Sequence, residues 1–545
     1  MGPRRASSSE VTGPRVRPTY GNDPVTTGPD GPERRVAFMS GAKPTTEKPT
    51  GLVATGVLGF DDVLGGGLTP SRIYLIEGNP GAGKTTLAVQ YLLEGVRRGE
   101  KGVYVTLSET KGELLAVAAT HGWDLDGIKV LELVAPESEL DADNQYSMFE
   151  PSEVELNLTT RAILAQIEEL RPSRVVIDSL SEMRLLARNS LRYRRQILAL
   201  KQFFIGRECT VLLLDDLTST TDDLQLQSIA HGVVSLEQLS PEYGAERRRV
   251  RVTKLRGQKY RGGYHDFLIE TGGLSVFPRL VASEHGQSQA RGLLKAGVES
   301  LDSLLGGGLP FGSSAVLLGP AGSGKSTLSL QYAITAAERG ERTAVFAFDE
   351  RIETMLDRTS GLGMDLASHY ESGLVTILPV NTAELSPGEF AHHVRRACDG
   401  TDGSPAARIV VVDSLNGYLN AMPEERHLIA QLHELLTYLG HKGVVSFLVV
   451  AQHGLLGSHM DSPIDTTYLA DAVILFRYFE AMGEVRQALS VVKKRSGGHE
   501  RTIRELRIDH GGIRVGEPLR DFHGVLAGTP VYRGPDGPLM GSEHA

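Results

Sequence analysis

The chain has 545 residues, of which 40% are hydrophobic, 23% charged and 6% aromatic, and its formal net charge is −10. That length predicts about two to four domains with ample core. The acidic balance weighs against a nucleic-acid motor, which usually carries a basic face. No apolar run reaches the roughly 18 residues of a membrane-spanning helix, and two cysteines, Cys209 and Cys398, are too few for a disulfide framework.

The chain opens on Met1-Gly2-Pro3-Arg4-Arg5-Ala6, an arginine pair with no hydrophobic region behind it, so an export signal is not expected and the cytoplasm is the expected location. Residues 1–48 are rich in Gly, Pro, Ser, Thr and Arg and are predicted to form a disordered tail. A first nucleotide-binding domain is predicted over 49–280. It starts with Gly56-Val57-Leu58-Gly59-Phe60-Asp61-Asp62-Val63-Leu64 and the triplet Gly65-Gly66-Gly67, and then reaches an apolar strand at 72–77. After the strand comes Gly78-Asn79-Pro80-Gly81-Ala82-Gly83-Lys84-Thr85-Thr86, and after that an amphipathic helix.

Strand, G-x-x-x-x-G-K-T and helix together define a P-loop. Its glycines let backbone N–H groups turn inward around a polyphosphate, and the helix N-terminus adds favourable dipole charge. Lys84 is expected to reach the β- and γ-phosphates of ATP, and the Thr85 hydroxyl to ligate Mg²⁺. The pattern returns as Gly319-Pro320-Ala321-Gly322-Ser323-Gly324-Lys325-Ser326-Thr327, after the triplet Gly306-Gly307-Gly308. Lys84 and Lys325, like the two triplets, stand 241 residues apart. A repeat of that length is a duplicated domain, so two nucleotides are expected. The second domain is assigned to 291–516, with a linker over 281–290 and a tail over 517–545 that packs only in part.

In each half short apolar strands alternate with helical segments, which predicts two tandem α/β domains of the RecA type, each a mostly parallel sheet flanked by helices. Shorter strands in hairpin order close each half, at 247–254 and 264–270, and again at 489–493 and 503–508. Asp178 follows Val175-Val176-Ile177 and Asp413 follows Val410-Val411-Val412. A carboxylate at the end of a strand beside the P-loop strand is what Mg²⁺ coordination needs, so both are read as Walker B aspartates, with Ser326 matching Thr85 as the hydroxyl ligand. Hydrolysis also needs a group that orients the nucleophile and takes its proton. Glu109 and Glu350, each at the end of another sheet strand, are the candidates, with Asp349 as a second acid in the later half. Late basic residues, Lys254 and Arg256 in one half and Lys493 and Arg495 in the other, are candidates for cations that act on a neighbouring subunit's γ-phosphate.

With these pieces placed, the chain resembles the KaiC family of tandem RecA-like ATPases over roughly Thr55 to Gly516. The motifs that carry the resemblance are Gly-Gly-Gly-Leu before each P-loop, Ile177-Asp178-Ser179 and Val412-Asp413-Ser414. The second half adds Gly457-Ser458-His459, Ala470-Asp471-Ala472-Val473-Ile474-Leu475 and Ile503-Arg504-Glu505-Leu506. The resemblance implies a homohexamer of two stacked rings with ATP between neighbouring subunits. It implies slow ATP hydrolysis in the first ring, and serine/threonine autokinase and phosphatase activity in the second. It also implies that Lys254, Arg256, Lys493 and Arg495 reach the adjacent protomer's ATP, and it suggests a KaiB-like signalling partner.

Two departures stand out. Where the family carries two adjacent acids at the strand end, Asp349-Glu350 keeps both, while Ser108-Glu109 keeps only the second. The family's phosphorylated pair falls on Thr467-Tyr468, which leaves Thr467 as the candidate phosphosite, with Thr466 and Ser462 as substitutes. The expected function is therefore a KaiC-like, ATP-hydrolysing hexameric signalling protein with an autokinase second domain. A nucleic-acid motor of the RecA or helicase type would use basic channel loops. The run that carries Arg184, Arg188, Arg192, Arg194 and Arg195 instead reads as an amphipathic helix through Leu185, Leu186, Leu191, Ile197 and Leu198. An ATP-assembled scaffold with little hydrolysis is the other alternative, raised by Ser108.

Overall fold

The computed structural model describes residues 51–132, 151–187, 190–217, 224–241, 244–286, 290–381, 383–400, 405–420, 427–452, 468–526 and 530–532. The N-terminal tail, the motif at 457–459, and Ser462, Thr466 and Thr467 lie outside the described residues.

The first half holds β1 (Ile73–Gly78), β2 (Gly102–Thr106), β3 (Ile128–Glu132), β4 (Arg174–Asp178), β5 (Thr210–Asp216), β6 (Gly232–Leu239), β7 (Arg247–Leu255), β8 (His265–Glu270) and β9 (Gly273–Phe277). They form one sheet in the order β3-β2-β4-β5-β1-β6-β7-β8-β9. From β3 to β6 every pairing is parallel; from β6 to β9 every pairing is antiparallel. The second half holds β10 (Ser314–Gly319), β11 (Arg342–Ala347), β12 (Val375–Pro379), β13 (Ala407–Asp413), β14 (Val445–Ala451), β15 (Ala472–Ala481), β16 (Glu484–Lys494), β17 (Ile503–Asp509) and β18 (Gly512–Pro518). Their order is β12-β11-β13-β14-β10-β15-β16-β17-β18, the first sheet with nine added to every label. Both sheets are flanked by helices, so the fold is two tandem RecA-like α/β units.

The central strands lack polar alternation because both of their faces are buried. In β1, Tyr74 and Ile76 pack with Leu87, Tyr91 and Leu92 of the helix Lys84–Arg97. Ile73 and Leu75 face the other way, toward Tyr193, Ile197 and Leu200 of the helix Ser190–Phe204. Full burial of each such side chain is worth roughly 1.5–3 kcal/mol, which fixes the register of the P-loop strand between two helical layers.

The two halves meet along a hydrogen-bonded seam. The N–H of Ala245 donates to the Ala383 carbonyl at 2.9 Å, and the N–H of Gly388 to Asp266 Oδ2 at 2.7 Å. Gly244, at φ +97°, lies so close that an added Cβ would sit 2.5 Å from the Ala383 oxygen. Within 281–290, Ala282–Glu284 forms a 3-10 turn, and Ala282 is buried with Leu280 among core residues of the second half. Past the second nine-stranded sheet, Phe522 and Val525 pack against Phe479, Ala481 and Ala488.

Beside the seam, on β8, His265 is 1% exposed. Its Nδ1 accepts from the Arg279 N–H at 2.8 Å, so Nε2 carries the proton and faces the Arg261 carbonyl at 3.0 Å. Burial pushes its pKa down to about 4, with the Arg261 and Arg279 charges adding and the Arg261 carbonyl opposing. Because the folded state holds the neutral ring, its contribution is complete above the ordinary value near 6.5 and is lost as pH falls from there toward 4. The loss should reach on the order of 2–3 kcal/mol. His265→Gln, less stable at neutral pH, should therefore lose less urea resistance than wild type between pH 6.5 and 4.5. Equal losses would place the acid sensitivity elsewhere.

Candidate functional site

The first P-loop leaves β1 at Gly78 and enters the helix Lys84–Arg97. Gly83 has φ +98°, and a Cβ there would lie 2.6 Å from Ile269 Cδ1 on the antiparallel extension of the sheet. That positive φ, rather than the contact with the tip of Ile269, demands glycine. Lys84 is only 8% exposed, and its ammonium is held 2.8 and 2.9 Å from the carbonyls of Gly78 and Asn79 and 2.7 Å from Asp216 Oδ1. A buried ammonium requires such acceptors.

Beside it the Thr85 hydroxyl donates to Asp178 Oδ2 at 3.0 Å, and the Tyr104 hydroxyl donates to the same oxygen. Burial raises the Asp178 carboxyl above its ordinary range, opposed by these hydroxyls and by Lys84. A hydroxyl and a carboxylate side by side, both hard oxygen donors, fit Mg²⁺. Glu109 follows β2, whose end is fastened by the Leu107 N–H to the Asp178 carbonyl at 2.7 Å. Burial and the Asp178 charge both push the Glu109 carboxyl upward, the direction a general base needs.

The second site repeats this frame. Gly324 has φ +97°, and its Cβ would meet Ile508 Cδ1 at 2.3 Å. Lys325 Nζ lies 2.6 Å from the Pro320 carbonyl, which also accepts the Ser323 hydroxyl at 2.8 Å. Burial pulls the Lys325 pKa down to about 8, with Asp413 opposing. The Asp413 carboxyl is raised by burial, while a hydrogen bond from Ser326 opposes the shift. Asp349 accepts the Ser414 hydroxyl at 2.5 Å.

The acids are held differently in the two halves. Glu350 receives both arms of Arg358, Nε to Oε1 at 3.0 Å and Nη2 to Oε2 at 2.9 Å, while Arg358 Nη1 donates to Thr327 Oγ1 at 2.9 Å. One guanidinium thus joins the candidate base to the P-loop in a bidentate pair. At the offset that relates the P-loops, the first half has Val117, which is 40% exposed.

The late basic residues sit apart from these contacts. Lys254 Nζ lies 2.8 Å from the Ala230 carbonyl, and Arg256 Nη2 lies 3.0 Å from that of Ser228. Lys493 Nζ lies 2.8 Å from the Ala470 carbonyl, and Arg495 pairs with Asp471 at 3.3 Å. Apart from Arg188, which lies outside the described residues, the arginine-rich run falls on the helices Leu180–Ala187 and Ser190–Phe204. Its buried face differs from the expected leucine stripe: Leu185 and Leu191 are 70% and 65% exposed, and Tyr193, Ile197, Leu200 and Phe204 face the core. The i, i+4, i+7, i+11 spacing of those four outweighs the leucine count. Arg184 is drawn inward to Asp215 and lies over the Tyr193 ring.

Sequence reasoning missed Tyr104, Asp216 and Arg358. The pair Asp215-Asp216 at the end of β5 was a usable signal, since β5 lies next to β1. The family model "ATPase: KaiC" matches residues 53–281 and 294–520. The circadian clock protein KaiC3 of Synechocystis sp. is 28% identical over 493 residues, covering 88% of this chain and 94% of that protein. The circadian clock oscillator protein KaiC of Parathermosynechococcus lividus is 27% identical over 486 residues, covering 88% and 87%. That of Acaryochloris marina is 26% identical over 490 residues, covering 88% and 91%.

Proposed function

The chain belongs to the KaiC ATPase family, and on that premise we propose a homohexameric signalling ATPase whose second domain phosphorylates its own chain. The first domain takes 49–280 and the second 291–516. ATP lies in each P-loop, with Mg²⁺ held by Thr85 and Asp178 in one domain and by Ser326 and Asp413 in the other. The observation that carries this reading is the Thr85–Asp178 contact at 3.0 Å beside the buried Lys84.

Bound there, Mg²⁺ would neutralise charge on the β- and γ-phosphates. Lys84 and Lys325 bind the same phosphates through their ammonium groups. Glu109 orients a water whose oxygen attacks the γ-phosphorus. The bond to the β–γ bridging oxygen breaks, ADP leaves, and the water proton passes to the Glu109 carboxylate. In the second domain Glu350, backed by Asp349, performs the same service for a hydroxyl, and the γ-phosphoryl group passes to Thr467, with Thr466 and Ser462 as the alternatives. Lys254 and Arg256, and Lys493 and Arg495, act across the subunit boundary on the neighbour's nucleotide. A KaiB-like partner would read the phosphorylated state, and the location is cytoplasmic.

Incubation with Mg²⁺ and γ-labelled ATP, followed by site mapping on wild type and Thr467→Ala, tests this. Label on Thr467 that disappears in the variant is the expected result. Released phosphate with no label on protein would remove the kinase and leave an ATPase switch.

A further inference from the structure

We propose that Arg72, Lys201, His231 and Arg256 form a phosphate-binding pocket in the first domain, separate from its P-loop. These four residues line a cavity of about 220 Å³ whose apolar floor is Ile73, Phe204 and Ile229. No carboxylate among the described residues lines it. The cations contact backbone oxygens: Lys201 the Ile229 carbonyl at 3.0 Å, Arg256 that of Ser228 at 3.0 Å, and Arg72 that of Ser71 at 3.1 Å. Carbonyls hold these side chains in place without cancelling their charge, so their field converges on the cavity. The His231 Nε2 is buried and meets no hydrogen-bond partner. Burial, with Arg72, Arg256 and Lys254 adding, lowers the His231 pKa and favours the neutral ring, which keeps one N–H to donate.

The second half supplies an internal control. The His231 N–H donates to the Ile73 carbonyl and the Arg256 N–H to the His231 carbonyl. In the same register Asp471 donates to Ser314, and Arg495 to Asp471. Asp471 therefore stands where His231 stands, and Ser313, whose carbonyl takes the Ser446 N–H as that of Arg72 takes the Val211 N–H, stands where Arg72 stands. There Asp471 Oδ1 pairs with Arg495 at 3.3 Å and Oδ2 accepts the Ser314 N–H at 3.0 Å. One frame thus carries a self-neutralised corner in the second half and a corner of uncancelled positive charge in the first. Three cations around a neutral donor over an apolar floor suit a compact, multiply charged oxyanion, and a phosphate group meets that description. The phosphate is free orthophosphate, which this pocket would hold without help from a second subunit.

Equilibrium dialysis with labelled orthophosphate at low salt tests the pocket in full-length Lys84→Ala/Lys325→Ala protein, whose P-loops are disabled. Adding His231→Asp copies the second half's own pair, and Arg72→Gln/Lys201→Gln is an independent variant should that one fail to fold. Either addition should weaken orthophosphate binding about tenfold or more. A background that binds no orthophosphate would overturn the proposal, as would binding that both added variants leave unchanged. Because dialysis involves no turnover, a chain that never hydrolyses ATP could still pass this test.

Discussion

Replacing Glu109 by glutamine should leave ATP bound at the first site while slowing phosphate release there by about 10²–10⁴-fold, the usual contribution of a positioned general base. Glutamine keeps the size of the side chain and its place after β2 but cannot accept a proton. The acid it replaces is set for that task, because burial and the neighbouring Asp178 both raise its carboxyl above the usual range. A carboxylate so raised takes a proton from water more readily than an exposed one does. The assay belongs in Lys325→Ala protein, where only the first site can turn over, with ATP retention measured alongside phosphate release. Undiminished release would remove Glu109 from the mechanism, and loss of ATP binding would reassign it to nucleotide binding.

Lys84→Ala should disrupt ATP-dependent assembly far more than Lys325→Ala does. Lys84 holds the Gly78 and Asn79 carbonyls and Asp216 together at 2.7–2.9 Å, so its loss strips the loop of a charge-assisted network as well as a phosphate ligand. Hydrogen bonds to charged groups are worth about 1.5–3 kcal/mol each, which corresponds to about 10- to 100-fold in the ATP concentration needed. In the proposed hexamer the first ring is the one that assembles. Size-exclusion profiles across an ATP titration decide the matter, and equal profiles for the two variants would sink the idea.

The P-loops and the aspartates that end β4 and β13 are legible in the sequence because each is a local pattern: apolar strand, fixed spacing, helix. The mostly parallel sheet is legible for a related reason, but its strand order is not: the sequence reading sets Asp178 on a strand beside the P-loop strand, whereas β5 lies between β4 and β1. What escapes is contact between residues far apart in the chain. Tyr104 reaches Asp178 across 74 residues, and Arg358 joins Glu350 to Thr327, which lies 31 residues before it. No spacing rule announces either one. The uncancelled charge around His231 escapes for a different reason. A histidine in an apolar stretch reads as core until the register sets it beside Asp471 of the other half.

The seam between the halves has a mechanical consequence. Its hydrogen bonds are directional, and at Gly244 two backbones touch with no room for a methyl group. Sliding one sheet past the other by the width of an atom would break the hydrogen bonds of the half-buried Ala245 and Gly388 N–H groups, at a cost of about 0.5–1.5 kcal/mol each. Under a small shear the seam therefore holds the two halves as one piece.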